Sequence, residues 1–172
     1  IKNEDYHVEG EPKAAKLAFY TMTEESTRLS AIRTGEIDFT TISAKSTKLL
    51  ENNADLSIIP YQSLEYSYVG FNNAKAPLDN EKVRQALSLA TDRQEILDIV
   101  WSGEGLISGP VAPSMGDWSV DVASLDLYKM NIEKAKALLA EAGHSNGFDI
   151  TITTASSYPD MVDTAQLLQQ QW

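Results

Sequence analysis

Two consecutive helices are predicted in the stretch PLDNEKVRQALSLATDRQEILDIVWSG, which covers residues 77–103. The first helix begins after Asp79 or Asn80, whose side chains are of the kind that accepts a hydrogen bond from a helix N-terminus. Apolar residues then recur three or four positions apart, at Val83, Ala86, Leu87 and Ala90. This spacing places them on one helix face, which we expect to pack against a core.

The second helix of this stretch begins with a capping-box pattern. Thr91 stands at the predicted cap and Gln94 follows three positions later, so that each side chain can bond the other residue's backbone N–H. The apolar face of this helix consists of Ile96, Leu97, Val100 and Trp101. Gly103 is its expected end, because glycine readily adopts the left-handed conformation found after a helix.

Residues 1–60 alternate between strand and helix patterns. Strands are predicted at 16–21, 37–42 and 56–60, and helices at 24–34 and 43–53. An order of strand, helix, strand, helix and strand is typical of a mainly parallel α/β layer.

Further patterns flank the two central helices. Strands are predicted at 65–72 and 148–153, and Asn131 and Gly143 bracket another helix. The connection 103–127 is rich in glycine and proline, and a connection of that length tends to be functional or to wrap around something. A last helix pattern, 159–172, runs to the end of the chain, so we expect a longer parent protein.

Composition narrows the functional classes. The chain has 172 residues, of which 42% are hydrophobic and 23% charged, as in ordinary folded domains. Its net charge of −11 repels phosphate backbones and anionic lipids, which argues against nucleic-acid and peripheral membrane binding. No apolar run reaches the roughly 18 residues of a transmembrane helix. The sequence contains no cysteine, which excludes disulfides and thiolate metal sites.

Few residues offer catalytic or metal-binding chemistry. His7 and His144 stand in polar loops and lack a second ligand at metal-binding spacing. A small α/β hydrolase that pairs Ser156 or Ser157 with His144 is one alternative, although the G-x-S-x-G motif of such enzymes is absent from the sequence.

Aromatic residues offer binding surfaces instead. Trp118 lies in the long connection, and because an exposed indole is costly, it should pack on the protein or stack on a ligand. The predicted strand 65–72 contains three aromatic residues, Tyr66, Tyr68 and Phe71. They are interpreted either as part of the core or as a platform on which a ligand stacks. Arg84 is expected to pair with polar groups at the start of its own helix and to be structural.

A set of short motifs also occurs in a fixed order. The strongest are Gly70-Phe71-Asn72, residues 77–87 and Ala90-Thr91-Asp92-Arg93, with Gly35-Glu36-Ile37-Asp38 before them and Gly109-Pro110, 135–143 and Gly147-Phe148 after them. As an ordered set, these motifs resemble the extracytoplasmic solute-binding proteins of peptide and nickel ABC importers, the dipeptide/oligopeptide-binding family 5. The resemblance covers nearly the whole chain.

The resemblance implies an α/β fold of the periplasmic-binding-protein type, class II, in which two lobes close around a ligand at a hinge. Residues 1–62 would form the last α/β part of the first lobe, 63–68 would cross the hinge, and 69–172 would form the first half of the second lobe. The rest of both lobes would lie outside these 172 residues.

The resemblance also implies a function. The protein would be the substrate-binding component of an ABC importer, which captures a peptide or similar small solute outside the cytoplasmic membrane and delivers it to the permease. It would be periplasmic or lipid-anchored, monomeric at full length, and without catalytic residues, cofactor, metal or nucleic-acid partner. The alternatives are the small hydrolase and an interaction domain that uses its acidic surface without a small ligand.

The resemblance places a ligand loop at residues 154–159. The candidate ligand contacts are Ser156, Ser157, Tyr158, Trp118 and Tyr68. In dipeptide-binding relatives an arginine that grips the ligand carboxylate falls in this loop, and Ala155 stands in its place here. This departure argues against strict dipeptide binding.

Overall fold

The computed structural model describes residues 1–156 and 158–172, and the helices account for its regular structure. The α-helices are α1 (Glu25–Thr34), α2 (Ala44–Thr47), α3 (Glu81–Ala90), α4 (Arg93–Val100), α5 (Ile132–Glu141) and α6 (Pro159–Gln171). Short 3₁₀ helices lie between α4 and α5 at Pro113–Trp118, Val122–Ser124 and Asp126–Tyr128. Within the described part of the chain, no helix combines the length and the apolar character needed to cross a bilayer.

Helices α3 and α5 pack against each other and form the main core. Leu89 of α3 is 1% exposed and clusters with Ala86 of the same helix and Ala135 of α5. The backbone N–H of Asn131 donates to the carbonyl of Leu89 at 2.8 Å, and the Asn131 side chain caps α5 by accepting from the N–H of Lys134 at 3.0 Å. The predicted apolar face of α3 and the predicted cap of α5 are therefore confirmed.

Helix α6 packs against α4, and its C-terminal end is fixed to the turn between α3 and α4. The buried side chains of these two helices are Val100, Leu167 and Leu168. The indole N–H of Trp172 donates to the hydroxyl of Thr91 at 3.0 Å. The side-chain amide of Gln171 bonds both the N–H and the carbonyl of Asp92. One end of α6 is thus held firmly.

The start of α4 differs from the prediction. The cap is Asp92, which accepts from the N–H of Glu95 at 3.0 Å, whereas Thr91 was expected there. The Thr91 hydroxyl is buried and donates to the carbonyl of Leu87 at 2.7 Å. Because this hydroxyl satisfies a group at the end of α3, the neighbouring aspartate takes the capping position.

Helix α1 ends where the sequence predicted, whereas α2 does not. Helix α1 ends as expected at Gly35, which has a positive φ of 73° and bonds back into the last turn. Helix α2 is much shorter than the predicted 43–53. Beyond Thr47 the chain continues in turns that are closed by hydrogen bonds between residues three positions apart, such as the bond from the N–H of Asn53 to the carbonyl of Leu50. The Thr47 hydroxyl donates to the carbonyl of Ala44 at 2.7 Å, and serine and threonine are weak helix formers, which is a physical reason for the early end.

The predicted sheet is absent from the described residues. No strand forms at 16–21, 37–42, 56–60, 65–72 or 148–153 in that part of the chain. A strand depends on hydrogen bonds to a neighbouring strand, and alternating polarity alone does not supply that neighbour. Side chains on these segments lie open, with Phe19 89%, Phe39 82% and Ile59 78% exposed.

The N-terminus of α1 holds the segment that leads into α2. A carboxylate oxygen of Glu25 accepts from the N–H of Ser43 at 3.1 Å and from its hydroxyl at 2.8 Å. Arg28 donates through Nε to the carbonyl of Thr41 at 3.3 Å and through Nη1 to two carbonyls just before α1, each at 2.9 Å. These contacts fix the position of α2.

This arrangement predicts an acid sensitivity. Partial burial opposes the ionisation of Glu25, but hydrogen bonds from Ser46 and Ser43 and the charge of Arg28 outweigh it and lower the pKa of Glu25 below its ordinary value of 4.5. A carboxyl whose pKa is lower in the folded state stabilises the fold above the unfolded value and loses this contribution as the pH falls through the folded value. We therefore expect stability to fall below about pH 4.5.

Urea denaturation at a series of pH values measures this effect. The Glu25→Gln protein should show a flatter loss of stability below about pH 4.5 than the unaltered protein. Glu24→Gln is the matched control, because Glu24 is exposed and its side chain makes no cap hydrogen bond. The same acid dependence in Glu25→Gln as in the unaltered protein would contradict the assignment.

Candidate functional site

The loop before α6 presents the side chain of Tyr158 at the first turn of that helix. The N–H of Tyr158 donates to the carbonyl of Ala155 at 3.1 Å, and its own carbonyl accepts from the N–H of Met161 at 3.1 Å and of Val162 at 3.2 Å. Pro159 occupies the first helical position, where its missing N–H costs nothing. The backbone of Tyr158 is therefore fixed, while its side chain is 54% exposed.

Two serines were predicted in the same loop. Ser156 lies in the turn and is exposed, so its hydroxyl is open to a ligand. Ser157 lies outside the described residues. Ala155 accepts the backbone bond that closes the turn, and the position that resembles an arginine site in dipeptide-binding relatives carries only a methyl group.

Trp118 ends the 3₁₀ stretch Pro113–Trp118, which is broken at Gly116. Gly116 has φ 58° and ψ −119°, a combination that residues with a Cβ rarely adopt. Its carbonyl accepts from both the N–H and the hydroxyl of Ser119, at 2.9 and 2.7 Å. The kink leaves the Trp118 side chain 78% exposed. The sequence suggested that Trp118 either packs on the protein or stacks on a ligand, and the structure does not show the first.

Tyr68 lies at the end of the predicted hinge segment 63–68. Its side chain is 79% exposed, and its ring centroid lies 5.8 Å from that of Tyr66 in a tilted arrangement. Phe71 is less exposed and lies near the ring of Trp172, with 6.3 Å between the centroids. The aromatic pattern thus divides into an outward pair of tyrosines and an inward phenylalanine.

One hydrogen bond joins two of these regions. The hydroxyl of Ser114 donates to the carbonyl of Ser63 at 2.7 Å, and so connects the loop of Trp118 to the hinge segment. No hydrogen bond or ring contact recorded for the described residues joins Tyr158 to Tyr68 or Trp118. The structure therefore links the tryptophan loop to residues 63–68.

The hydrolase alternative gains no geometric support. The ring of His144 lies edge-on to that of Phe148, with 5.3 Å between centroids, and the His144 backbone N–H donates to the carbonyl of Leu139 at 2.8 Å. These contacts place His144 in the C-terminal turn after α5. No group of three or more acidic or histidine side chains in the described residues has metal-site geometry.

The arginines of α3 and α4 serve the fold. Arg84 donates through Nη1 to the carbonyls of Leu78 and Asp79 at 2.8 and 3.0 Å, and so holds the turn before α3. Arg93 donates to Ser88 and lies over the ring of Tyr128, with 4.4 Å from its guanidinium carbon to the ring centroid. Burial lowers the pKa of Arg93, an effect that Tyr128 opposes.

A contact that sequence reasoning missed joins α2 to α6. Nζ of Lys45 in α2 lies 2.6 Å from a carboxylate oxygen of Asp163 in α6. The two residues are 118 positions apart, and neither belongs to a recognisable motif. No local signal in the sequence could have paired them.

Comparison with known proteins gives a family-level match. The model of bacterial extracellular solute-binding proteins, family 5 Middle, matches residues 1–172. Among curated relatives, the glutathione-binding protein GsiB of Pectobacterium atrosepticum is 30% identical over 167 residues. The match covers 96% of this chain and 32% of GsiB. The chain therefore spans about a third of the length of such relatives.

Solved structures show the same likeness. The oligopeptide-binding protein AppA from Bacillus subtilis, in complex with a nonapeptide, aligns with a TM-score of 0.68 and 26% identity over 87% of this chain and 32% of AppA. AgaA from A. tumefaciens R10, in complex with agropinic acid, aligns with a TM-score of 0.73 and 27% identity over 98% of this chain and 34% of AgaA. The chain thus has the fold of part of a periplasmic binding protein.

Loss of the Arg84 guanidinium should affect stability alone. Arg84→Ala removes two charge-assisted hydrogen bonds to backbone carbonyls, so we expect the free energy of unfolding to fall by about 1–2 kcal/mol. Affinity for any solute that the natural protein binds should stay unchanged, as measured by titration calorimetry. Arg33→Ala is a control at an exposed arginine of α1 and should change neither quantity. Weaker binding with an unaltered unfolding curve would contradict a structural role.

Proposed function

Because this chain belongs to family 5 of the bacterial extracellular solute-binding proteins, we propose that it acts in the substrate-binding component of an ABC importer. In this role it captures a peptide or a similar small solute outside the cytoplasmic membrane and delivers it to the permease. The observation that carries the proposal is the match of the family model to all 172 residues.

The proposed organisation is a clamp. Residues 1–62 belong to the first lobe, 63–68 cross the hinge and 69–172 belong to the second lobe. The bond from Ser114 to the carbonyl of Ser63 supports this division, because it anchors the crossing segment to the second lobe. Ligand binding would then shift the population from open to closed forms, and the permease would recognise the closed form.

The proposed ligand contacts are Tyr68, Trp118, Ser156, Ser157 and Tyr158. The described members of this set, Tyr68, Trp118, Ser156 and Tyr158, are exposed, and the backbone of Tyr158 is fixed at the start of α6. Hydroxyl groups of this loop can bond the main chain of a peptide, and the exposed rings can cover its side chains. Such uncharged contacts favour peptides or similar solutes over ligands that are recognised mainly through one charged group.

A ligand panel tests the proposal in the natural protein that carries this sequence. The panel contains glutathione, trialanine, a nonapeptide and agropinic acid, and the readout is the thermal unfolding temperature. A ligand present at a hundred times its Kd should stabilise the folded state by about 2.7 kcal/mol. Hydrolysis of p-nitrophenyl acetate is measured in parallel and should stay at the rate of the buffer. Ester turnover without stabilisation by any member of the panel would favour the hydrolase.

Replacing Tyr158 should weaken binding and leave the fold intact. In Tyr158→Ala we expect the Kd of the stabilising ligand to rise about three- to tenfold, the range expected for loss of one hydrogen bond. The backbone bonds of residue 158 persist, so the unfolding temperature without ligand should stay the same. Titration calorimetry measures the first quantity and circular dichroism the second.

Tyr20→Ala is the matched control, because Tyr20 is an exposed tyrosine outside the proposed site, with 69% of its surface open. It should leave the Kd unchanged. An unchanged Kd in Tyr158→Ala as well would remove the loop before α6 from the site.

A further inference from the structure

The ion pair between Lys45 and Asp163 connects the two parts of the chain on either side of the proposed hinge. The distance from Nζ to the carboxylate oxygen is 2.6 Å, and the side chains are 48% and 39% exposed. Opposite charges at this distance form a charge-assisted hydrogen bond, which is stronger than a neutral one. Together with the bond from Ser114 to Ser63, it ties residues 1–68 to 69–172 in the described structure.

Lys45 lies in α2, a helix whose start is held in place by α1. Glu25 accepts hydrogen bonds from both the N–H and the hydroxyl of Ser43, which occupies the N-cap position of α2 two residues before Lys45. Arg28 holds the carbonyl of Thr41 in the same approach. Because α1 fixes the start of α2 in this way, the ammonium group of Lys45 is brought towards α6 from a defined position.

The aspartate lies close to the proposed ligand loop. Asp163 is the fifth residue of α6, and that helix begins at Pro159, directly after Tyr158. At the opposite end of α6, Trp172 is bonded to Thr91. Lys45 therefore acts on the end of α6 that carries the loop, while the other end is already fixed.

We propose that Lys45 and Asp163 are positioning residues, whose ion pair holds α6 and the ligand loop against the first lobe across the hinge. The inference rests on the proposed function, because it takes the division into two lobes from it. Neither residue contacts the ligand in this proposal. The pair acts by favouring the arrangement in which α2 and α6 are together.

The expected size of the effect is modest. Partly exposed ion pairs contribute little, so loss of this one should change the ratio of joined to separated forms about two- to fivefold. High salt should reduce the contribution of the pair, because screening shortens the reach of exposed charges. A salt-sensitive change of this size separates an ion pair from a general packing defect.

Distances between spin labels test the proposal without any ligand. The 172 residues contain no cysteine, so Glu51→Cys and Gln169→Cys place one label beyond each partner at exposed positions. Pulsed electron paramagnetic resonance on the natural protein gives the fraction of molecules with the short distance. Lys45→Glu should lower the ratio of short to long distances two- to fivefold at low salt. The charge-swapped double variant, Lys45→Glu with Asp163→Lys, should restore it.

The control is an ion pair of the same kind that does not cross the hinge. Lys82 and Glu141 are 2.8 Å apart, with side chains 49% and 57% exposed, and both lie in residues 69–172. Lys82→Glu should therefore leave the distance distribution unchanged. Circular dichroism of each variant confirms that it is folded.

Three outcomes would overturn the proposal. They are a distribution unchanged by Lys45→Glu, a double variant that fails to restore the short distance, and unaltered protein without a short-distance component. Because these measurements contain no ligand, they do not depend on ligand capture. A confirmed ion pair with no stabilising ligand in the panel would count against the receptor role alone.

Discussion

The packing of α3 on α5 is the contact on which the arrangement of residues 69–172 depends. Leu89 is 1% exposed between the two helices, and burial of such a side chain contributes about 1.5–3 kcal/mol. The ends of the same helices carry the next connections, because Asn131 bonds to the carbonyl of Leu89 and also caps α5. Thr91, at the end of α3, receives the indole N–H of Trp172. A defect in this core would therefore reach the end of α6 through Thr91.

Helix α6 connects this core to the candidate site. It has 13 residues and is therefore about 20 Å long at 1.5 Å per residue. Its C-terminal end is bonded to the turn between α3 and α4, whereas Tyr158 lies at the other end. A small tilt about the C-terminal end would displace Tyr158 the most. The contact with Lys45 lies near the Tyr158 end of the helix, far from its bonded C-terminus.

Local signals in the sequence predicted the helices better than they predicted the sheet or the site. The Asn131 cap, the Gly35 end of α1 and the apolar face of α3 depend on residues within a few positions of one another. The prediction of Thr91 as the cap of α4 was wrong, because the Thr91 hydroxyl donates instead to the carbonyl of Leu87 in the preceding helix. The strand patterns require partners that periodicity cannot supply. The exposure of Trp118 depends on a kink at Gly116, and the contact from Lys45 to Asp163 spans 118 positions, so neither could be predicted locally.

The basic side chains of the described residues are used mainly within the structure. The chain has 14 basic and 25 acidic side chains, and the best-placed cations serve the structure. Arg28, Arg84 and Arg93 donate to backbone carbonyls, and Lys45 and Lys82 pair with carboxylates. Residues 154–159 contain no basic side chain, so this loop offers hydroxyl and backbone groups for hydrogen bonding. Hydrogen bonding, and not charge pairing, is therefore the interaction that the loop itself can provide.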